Sequence, residues 1–400
     1  MTNGTDGEDG SDDTPSISPE ELHDRVRRGE RVRLLDVRNR DEFEAWRITG
    51  AGVEATQVPY AQFTAAKARG DLSEFVADLG VDPDEPVVAV CPRGEASATV
   101  ADFLRDEGIE AQNLAGGMRG WARVYAATGL PAAAVPGDAT VVQYDRPATG
   151  CLSYLVVSGD EAAVVDPLRA FTDRYVADAE ERGATLRYAV DTHVHADHLS
   201  GVRRLADQTG AEAVMPAGAT DRGLAFDAGL LDDGEELRVG DVALTALHAP
   251  GHTTELTALR LGDLLFSGDA LFVDSFGRPD LERGDGGARD LAATLYDTLR
   301  DRLLALSDDT LVAPGHRTPD AEPNPDEGGA YAARIGAIRE RLRIPDDREA
   351  FVDRVLGSLP PRPANFEDIV PANLGRESPD DETAFEMELG PNNCAVAADD

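Results

Sequence analysis

Thr192-His193-Val194-His195-Ala196-Asp197-His198 follows the apolar run Leu186–Val190 and decides how the chain is read. The run has the length and β-branched content of a buried strand. The motif after it crowds imidazole and carboxylate donors into one loop. Three more strand-like runs end the same way. Val242–Leu247 leads to Pro250-Gly251-His252-Thr253, Leu264–Ser267 to Ser267-Gly268-Asp269, and a fourth run to Pro314-Gly315-His316. Functional residues of an α/β sheet gather at strand ends, so these motifs predict one polar centre. Of the seven histidines, five belong to these motifs. His248 reads as a structural histidine on or near a strand, and His23 as a surface residue. One isolated histidine usually packs or faces solvent; four separated donor motifs predict a metal.

Two arrangements of donors satisfy the pattern. Two Zn²⁺ ions could be held by His193, His195 and His252 on one side and Asp197, His198 and His316 on the other, with Asp269 bridging. Such a pair activates water for hydrolysis. Alternatively one Fe(II) takes His193, His252 and Asp269, a facial set that leaves positions open for substrate and O2. His195, Asp197, His198 and His316 then support it from outside. Ligand types alone leave both open.

A second centre is expected upstream. Val87-Val88-Ala89-Val90 reads as a strand, followed by Cys91-Pro92-Arg93-Gly94-Glu95-Ala96-Ser97 and a helix over Ala98–Asp106. A thiol between a strand and a helix start meets backbone N–H groups and a positive helix end, which favour thiolate. Arg93 adds positive charge and Gly94 permits the tight loop. Arg33–Val37 reads as another strand of this unit. Strands Tyr154–Val157 and Ala162–Val165 open the metal-bearing one. The whole is an α/β protein with a mainly parallel first sheet.

Four hundred residues suit two domains. The expected division is a disordered acidic stretch over 1–14, a first α/β domain over 15–130, a linker over 131–140, a second domain over 141–345, and a helical extension and tail over 346–400. Ser18-Pro19-Glu20-Glu21 marks the first helix start. Tyr331, Ile335, Ile338 and Leu342 share a helical face, and from about Arg376 the tail is acidic and wraps or frays. Acidic residues number 76 against 38 basic, a net charge of −38, and Lys67 is the only lysine. This charge disfavours nucleic acid and anionic membranes as partners, and it suits a salty cytoplasm. Three dispersed cysteines suggest no disulfide framework. No leader or spanning segment is read, so the expected location is cytoplasmic. Oligomeric state is left open.

Residues 16–126 resemble a rhodanese domain. Asp36-Val37-Arg38, Glu42-Phe43 and Ile48-Thr49-Gly50-Ala51 match its opening signature, Leu114-Ala115-Gly116-Gly117 with Trp121 its closing one, and the Cys91 loop its C-x-x-G-x-x-S pattern. The resemblance implies a persulfide on Cys91, with Arg93 and Gly94 binding substrate. From about 141 to 320 the donor motifs, with Asp166 after Ala162–Val165, resemble the metallo-β-lactamase fold, an αββα sandwich. Gly268-Asp269-Ala270-Leu271-Phe272 and Gly277-Arg278-Pro279-Asp280 resemble the persulfide dioxygenases of the ethylmalonic-encephalopathy type, as do Pro363-Ala364-Asn365-Phe366 and Gly390-Pro391-Asn392-Asn393-Cys394. That resemblance implies one Fe(II) on His193, His252 and Asp269, with Arg278 contacting the substrate. It also implies oxidation of a small thiol persulfide by O2 to sulfite, coupled to sulfur transfer that can yield thiosulfate. A two-zinc thioesterase of the glyoxalase II kind and a non-catalytic persulfide carrier are the rival expectations.

If the acidic composition is an adaptation to salt, screening stabilises the fold. The melting temperature is expected to rise between dilute buffer and molar potassium chloride. An unchanged value contradicts this.

Overall fold

The structure, a computed structural model, describes residues 14–80, 85–390 and 394–396. Residues 1–13 of the stretch expected to be disordered, and Pro391-Asn392-Asn393 of the C-terminal motif, lie outside the described residues. The chain divides into two compact units, the boundary falling between Val124 and Tyr125.

In the first unit β1 (Ser16–Ile17), β2 (Val32–Asp36), β3 (Val53–Gln57), β4 (Val87–Val90) and β5 (Ala111–Leu114) form a parallel sheet in the order β1-β5-β4-β2-β3. The apolar run 87–90 is buried throughout because it lies inside the sheet. The helix after Cys91 spans Glu95–Asp106, three residues longer at its start than the sequence suggested. Gly94, at φ +107°, makes the left-handed turn that lets the helix begin there. Ser18 caps the first helix as expected, accepting the N–H of Glu21 at 3.0 Å. His23 departs from expectation: it is buried, 6.1 Å from the Trp121 ring.

The second unit has four layers. One sheet runs β12-β11-β10-β9-β8-β7-β6 through β6 (Ala126–Gly129), β7 (Thr140–Arg146), β8 (Cys151–Ser158), β9 (Glu161–Val165), β10 (Thr185–Val190), β11 (Glu212–Pro216) and β12 (Gly229–Leu231). The other runs in sequence order through β13 (Glu236–Val239), β14 (Val242–His248), β15 (Thr257–Leu261), β16 (Leu264–Gly268), β17 (Leu311–Pro314) and β18 (Ala333–Arg334). Side chains alternate across each strand. Tyr154 and Val156 therefore meet Leu244, Leu259 and Phe266 between the sheets. Leu155 and Val157 face the opposite way, toward Tyr175, Val202 and Leu205 on helices. Leu265 and Val312 face the helix Gly284–Asp297 and the helices Ile335–Leu342 and Arg348–Gly357.

One segment differs from its sequence reading, and the tail takes the first of its two expected forms, wrapping rather than fraying. Within 131–140, read as linker, Ala134, Val135 and Ala139 are buried in the core between the sheets, and β6 just before pairs with β7. Alanine and valine among prolines look like a spacer, yet they are small apolar side chains that a core accepts. The tail read as wrapping or fraying contains the helix Asp381–Met387, capped by Asp380 through the Thr383 N–H at 2.8 Å. Beyond it Glu388 is buried against Arg146, with Nη1–Oε2 at 2.5 Å, and its other oxygen accepts the Leu199 N–H at 2.8 Å. Among the described residues no helix is long and apolar enough to cross a membrane.

Breaking a buried ion pair by removing one partner costs about 3–5 kcal/mol, since the other charge stays buried. Glu388→Ala is expected to lose that much in denaturant unfolding. The double change Arg146→Met with Glu388→Leu is expected to recover most of it.

Candidate metal centre and thiol site

The donor motifs meet at the ends of β10, β14, β16 and β17, as their strand-end positions predict. Nε2 of His193 and Nε2 of His252 each lie 3.8 Å from Oδ2 of Asp269, and all three residues are essentially fully buried. Each imidazole is aimed by its other nitrogen. His193 Nδ1 lies 2.9 Å from Thr192 Oγ1, which bonds Asp166 Oδ2 at 3.0 Å. His252 Nδ1 donates to the carbonyl of Arg278 at 2.8 Å. Such outer partners fix the tautomer and turn Nε2 inward. A Cβ on Gly277 would come within 1.9 Å of the Asp269 carbonyl oxygen and 3.0 Å of the His252 Cβ, so only glycine fits there.

His193 Nε2 and Asp269 Oδ2 are buried without any hydrogen bond. Orphaned polar atoms of this kind are costly, and a cation between them would satisfy both. Protonation states agree. Burial, then the neighbouring His195 and His252, hold the His193 pKa well below the ordinary histidine value, and burial also lowers that of His252. Burial alone would push the Asp269 carboxyl up, but the adjacent His316 outweighs it and keeps its pKa low. Neutral imidazoles and an ionised carboxylate are the forms that bind a metal. The residues therefore fit one.

The remaining donors sort into two further groups. Cys151, Asp197, His198 and His316 bring their ligand atoms within 4.8 Å of one another. Asp197 Oδ2 lies 2.7 Å from His316 Nε2, 3.2 Å from His198 Nδ1 and 3.3 Å from Cys151 Sγ. His316 Nδ1 reaches Asp269 Oδ1 at 2.9 Å. Burial would lower the His316 pKa, yet Asp269 and Asp197 raise it well above the ordinary value. His195 belongs to neither group. Its Nε2 lies 3.3 Å from Asp166 and 3.5 Å from Asp191, and those two carboxylates are its partners in a separate cluster.

The loop is clamped from outside. Glu255 accepts the Val194 N–H at 2.9 Å and pairs with Arg222 at 2.7 Å. Asn373, at the end of the helix Phe366–Asn373, donates to the carbonyls of His195 and His198 at 3.0 and 2.8 Å. The guanidinium of Arg278 is buried against Asp280 at 2.7 and 3.0 Å, and donates to the Pro361 carbonyl at 2.8 Å. The sequence reading assigned no part to Cys151, Asn373 or Glu255. A thiol, an amide and a carboxylate lying outside the histidine motifs give no local sign of where they point.

In the first unit Cys91 is buried, and its Sγ accepts the Gly94 N–H at 3.0 Å and the Ser97 hydroxyl at 3.1 Å. Arg93 is exposed on this loop. The closing Gly116-Gly117 signature now has a reason. A Cβ on Gly117 would come within 2.1 Å of the Cys91 carbonyl oxygen, and the next residue, Met118, donates its N–H to that oxygen at 2.9 Å.

Comparison with known proteins follows this division. The rhodanese-like domain family matches residues 18–124 and the metallo-beta-lactamase superfamily residues 146–316. The mitochondrial persulfide dioxygenase ETHE1 of Homo sapiens is 30% identical over 240 residues, 58% of this chain and 86% of that protein. The chain belongs to the ETHE1 persulfide dioxygenase family. The crystal structure of ETHE1 from Myxococcus xanthus, 31% identical, superposes with a TM-score of 0.51 and covers 58% of this chain and 96% of its own. A hydroxyacylglutathione hydrolase of Xanthomonas euvesicatoria is 34% identical over 163 residues, 40% of this chain and 58% of that protein. Membership of the ETHE1 family, with this fold and these buried donors, makes the chain a metal-dependent enzyme.

Loss of an outer partner of a metal ligand costs about 10–100-fold in affinity. Thr192→Val, which keeps the shape and removes the hydroxyl at His193, is expected to weaken metal binding by about that factor in competition with a chelator. Wild-type affinity would show that the Thr192 contact does not aim the ligand.

Proposed function

We propose that this protein oxidises the outer sulfur of a small thiol persulfide with O2, releasing sulfite, at a single Fe(II) held by His193, His252 and Asp269. The observation that carries this is the sorting of donors. His193, His252 and Asp269 converge on one point, with His193 Nε2 and Asp269 Oδ2 buried and without a hydrogen bond, whereas His195, which a two-zinc site needs beside His193 and His252, lies in a separate group with Asp166 and Asp191, 3.3 and 3.5 Å from its Nε2. The bound metal would supply Lewis acidity and open positions for both reactants. The chain supplies the rest. His193 and His252 are kept neutral, Asp269 ionised, and the burial of all three excludes bulk water from the reacting sulfur. The balance is R–S–S⁻ + O2 + H2O → R–S⁻ + SO3²⁻ + 2 H⁺.

The rhodanese unit supports the same chemistry. The Gly94 N–H and the Ser97 hydroxyl, which bond the Cys91 sulfur, would serve as donors to a persulfide there. Cys91 would load sulfur onto a small thiol or pass it to sulfite, giving thiosulfate, with Arg93 and Gly94 at the anion. Arg278, through its carbonyl, would orient His252, and its guanidinium with Asp280 would line the substrate side. The acidic composition supports action in a salty cytoplasm. The likeness to a hydroxyacylglutathione hydrolase favours a two-zinc thioesterase as the second reading, though over a smaller part of either chain.

Fe(II)-loaded protein in high salt is expected to consume O2 and form sulfite from glutathione persulfide. His193→Ala should lose more than the ~10–100-fold typical of changes outside the ligand set. Cys91→Ser should keep oxygen uptake with ready-made persulfide and lose sulfur transfer. No uptake by the iron-loaded wild type with any thiol persulfide, together with thioester hydrolysis by the zinc form, would establish the hydrolase instead.

A further inference from the structure

The described C-terminal residues 394–396 lie alongside 275–278, on the chain segment that leads away from Asp269. The Arg278 N–H donates to the Cys394 carbonyl at 3.0 Å, Ala395 bridges to Gly277, and the Val396 N–H donates to the Phe276 carbonyl at 3.0 Å. The Ser275 hydroxyl bonds the Val396 carbonyl at 2.6 Å. These contacts deliver the Cys394 side chain into the metal centre. Its Sγ lies within 4.8 Å of ligand atoms of both Asp269 and His316. The thiol is buried, with Ala196 and Leu281 beside it. Asp269, which shares this group, keeps a fully buried oxygen without a hydrogen bond. A site built for a persulfide thus already contains a thiol of the chain itself, and none of the roles assigned above uses it.

Two plainer roles fit less well. As mere filling, a small apolar side chain would serve without setting a thiol against an ionised carboxylate. As a permanent ligand, the thiolate would take one of the positions that two histidines and a carboxylate leave open.

We propose that Cys394 is a tethered sulfur carrier, the immediate persulfide substrate of the metal centre. This rests on the dioxygenase function proposed above. The Cys394 sulfur attacks the outer sulfur of R–S–SH, its proton passing to the leaving sulfur. A new S–S bond forms, the donor S–S bond breaks, and R–SH leaves, so that Cys394–S–SH is made with no net oxidation. Cys394–S–SH then reacts with O2 and H2O to give sulfite, two protons and the Cys394 thiol, which is ready for another sulfur. The tether fixes the reacting sulfur beside His193, His252 and Asp269 and replaces a bimolecular encounter by an intramolecular one. It also frees the enzyme from recognising one particular carrier thiol, since only the outer sulfur passes inward.

The test uses the full-length Fe(II)-loaded protein, treated anaerobically with inorganic polysulfide, desalted and alkylated. The three cysteines fall on separate tryptic peptides. Mass spectrometry is expected to find one added sulfur, about 32 Da, on the Cys394 peptide. Admitting O2 before alkylation should remove it and release about one sulfite per chain with no small thiol present. Cys394→Ser, and Cys394→Ala as a second variant, should keep their metal and melting temperature, form no such sulfite, and oxidise glutathione persulfide about tenfold or more slowly. No added sulfur on Cys394 while Cys91 is loaded, or full activity in a metal-replete variant, overturns the carrier role. Wild-type oxygen uptake persists in that case, whereas its absence with every persulfide would mark failure of the dioxygenase function itself.

Discussion

An ionised carboxylate with one bare oxygen at the end of a buried strand sets the terms for the second unit. Asp269 is fully buried, one oxygen takes a bond from His316, and the other has none. Leaving a buried charge unpaired costs several kcal/mol, and here His193 and His252 face the bare oxygen with neutral imidazoles. Only a cation satisfies all three at once. Much of the surrounding structure serves to keep these atoms from relaxing into ordinary hydrogen bonds. Thr192 and the Arg278 carbonyl hold the rings, Gly277 lets the backbone close over Asp269, and Glu255 and Asn373 clamp the histidine loop.

The same constraint explains the C-terminal extension. Its helices do more than cover the outer face of the second sheet. Asn373 ties off carbonyls of the loop that carries His195 and His198, Glu388 caps Leu199 while neutralising buried Arg146, and residues 394–396 run beside the segment that follows Asp269. A metal centre raised on strand-end loops gains rigidity when distant chain is hydrogen-bonded to those loops, and a rigid ligand set reorganises little during the reaction. In the rhodanese unit the equivalent support is shorter in range: Gly117 folds against the Cys91 loop, where any larger side chain would collide with backbone.

Much of this was legible in the sequence because it depends on local order. Apolar runs of strand length, glycine before each late donor, and donors placed after strands specify a sheet with a metal at one end, and the Cys91 loop likewise follows from a strand meeting a helix. The tertiary structure decided what those local signals leave open. His195 belongs to the same His-x-His-x-Asp-His run as His193, yet it turns to Asp166, at the end of the neighbouring strand β9, and to Asp191, at the end of its own strand β10. The prolines around 131–140 suggested a spacer, but the alanines and valine between them were wanted in a core that strands more than a hundred residues away complete. Cys151, a strand's first residue, carried no signal, and Cys394 stood out only within a resembling C-terminal motif that says nothing of where its thiol points. Donor type and spacing are properties of adjacent residues and can be read along the chain. Which donors share a point depends on the burial and pairing of groups far apart in sequence, and that is settled only when the sheets pack and the C-terminal segment closes onto them.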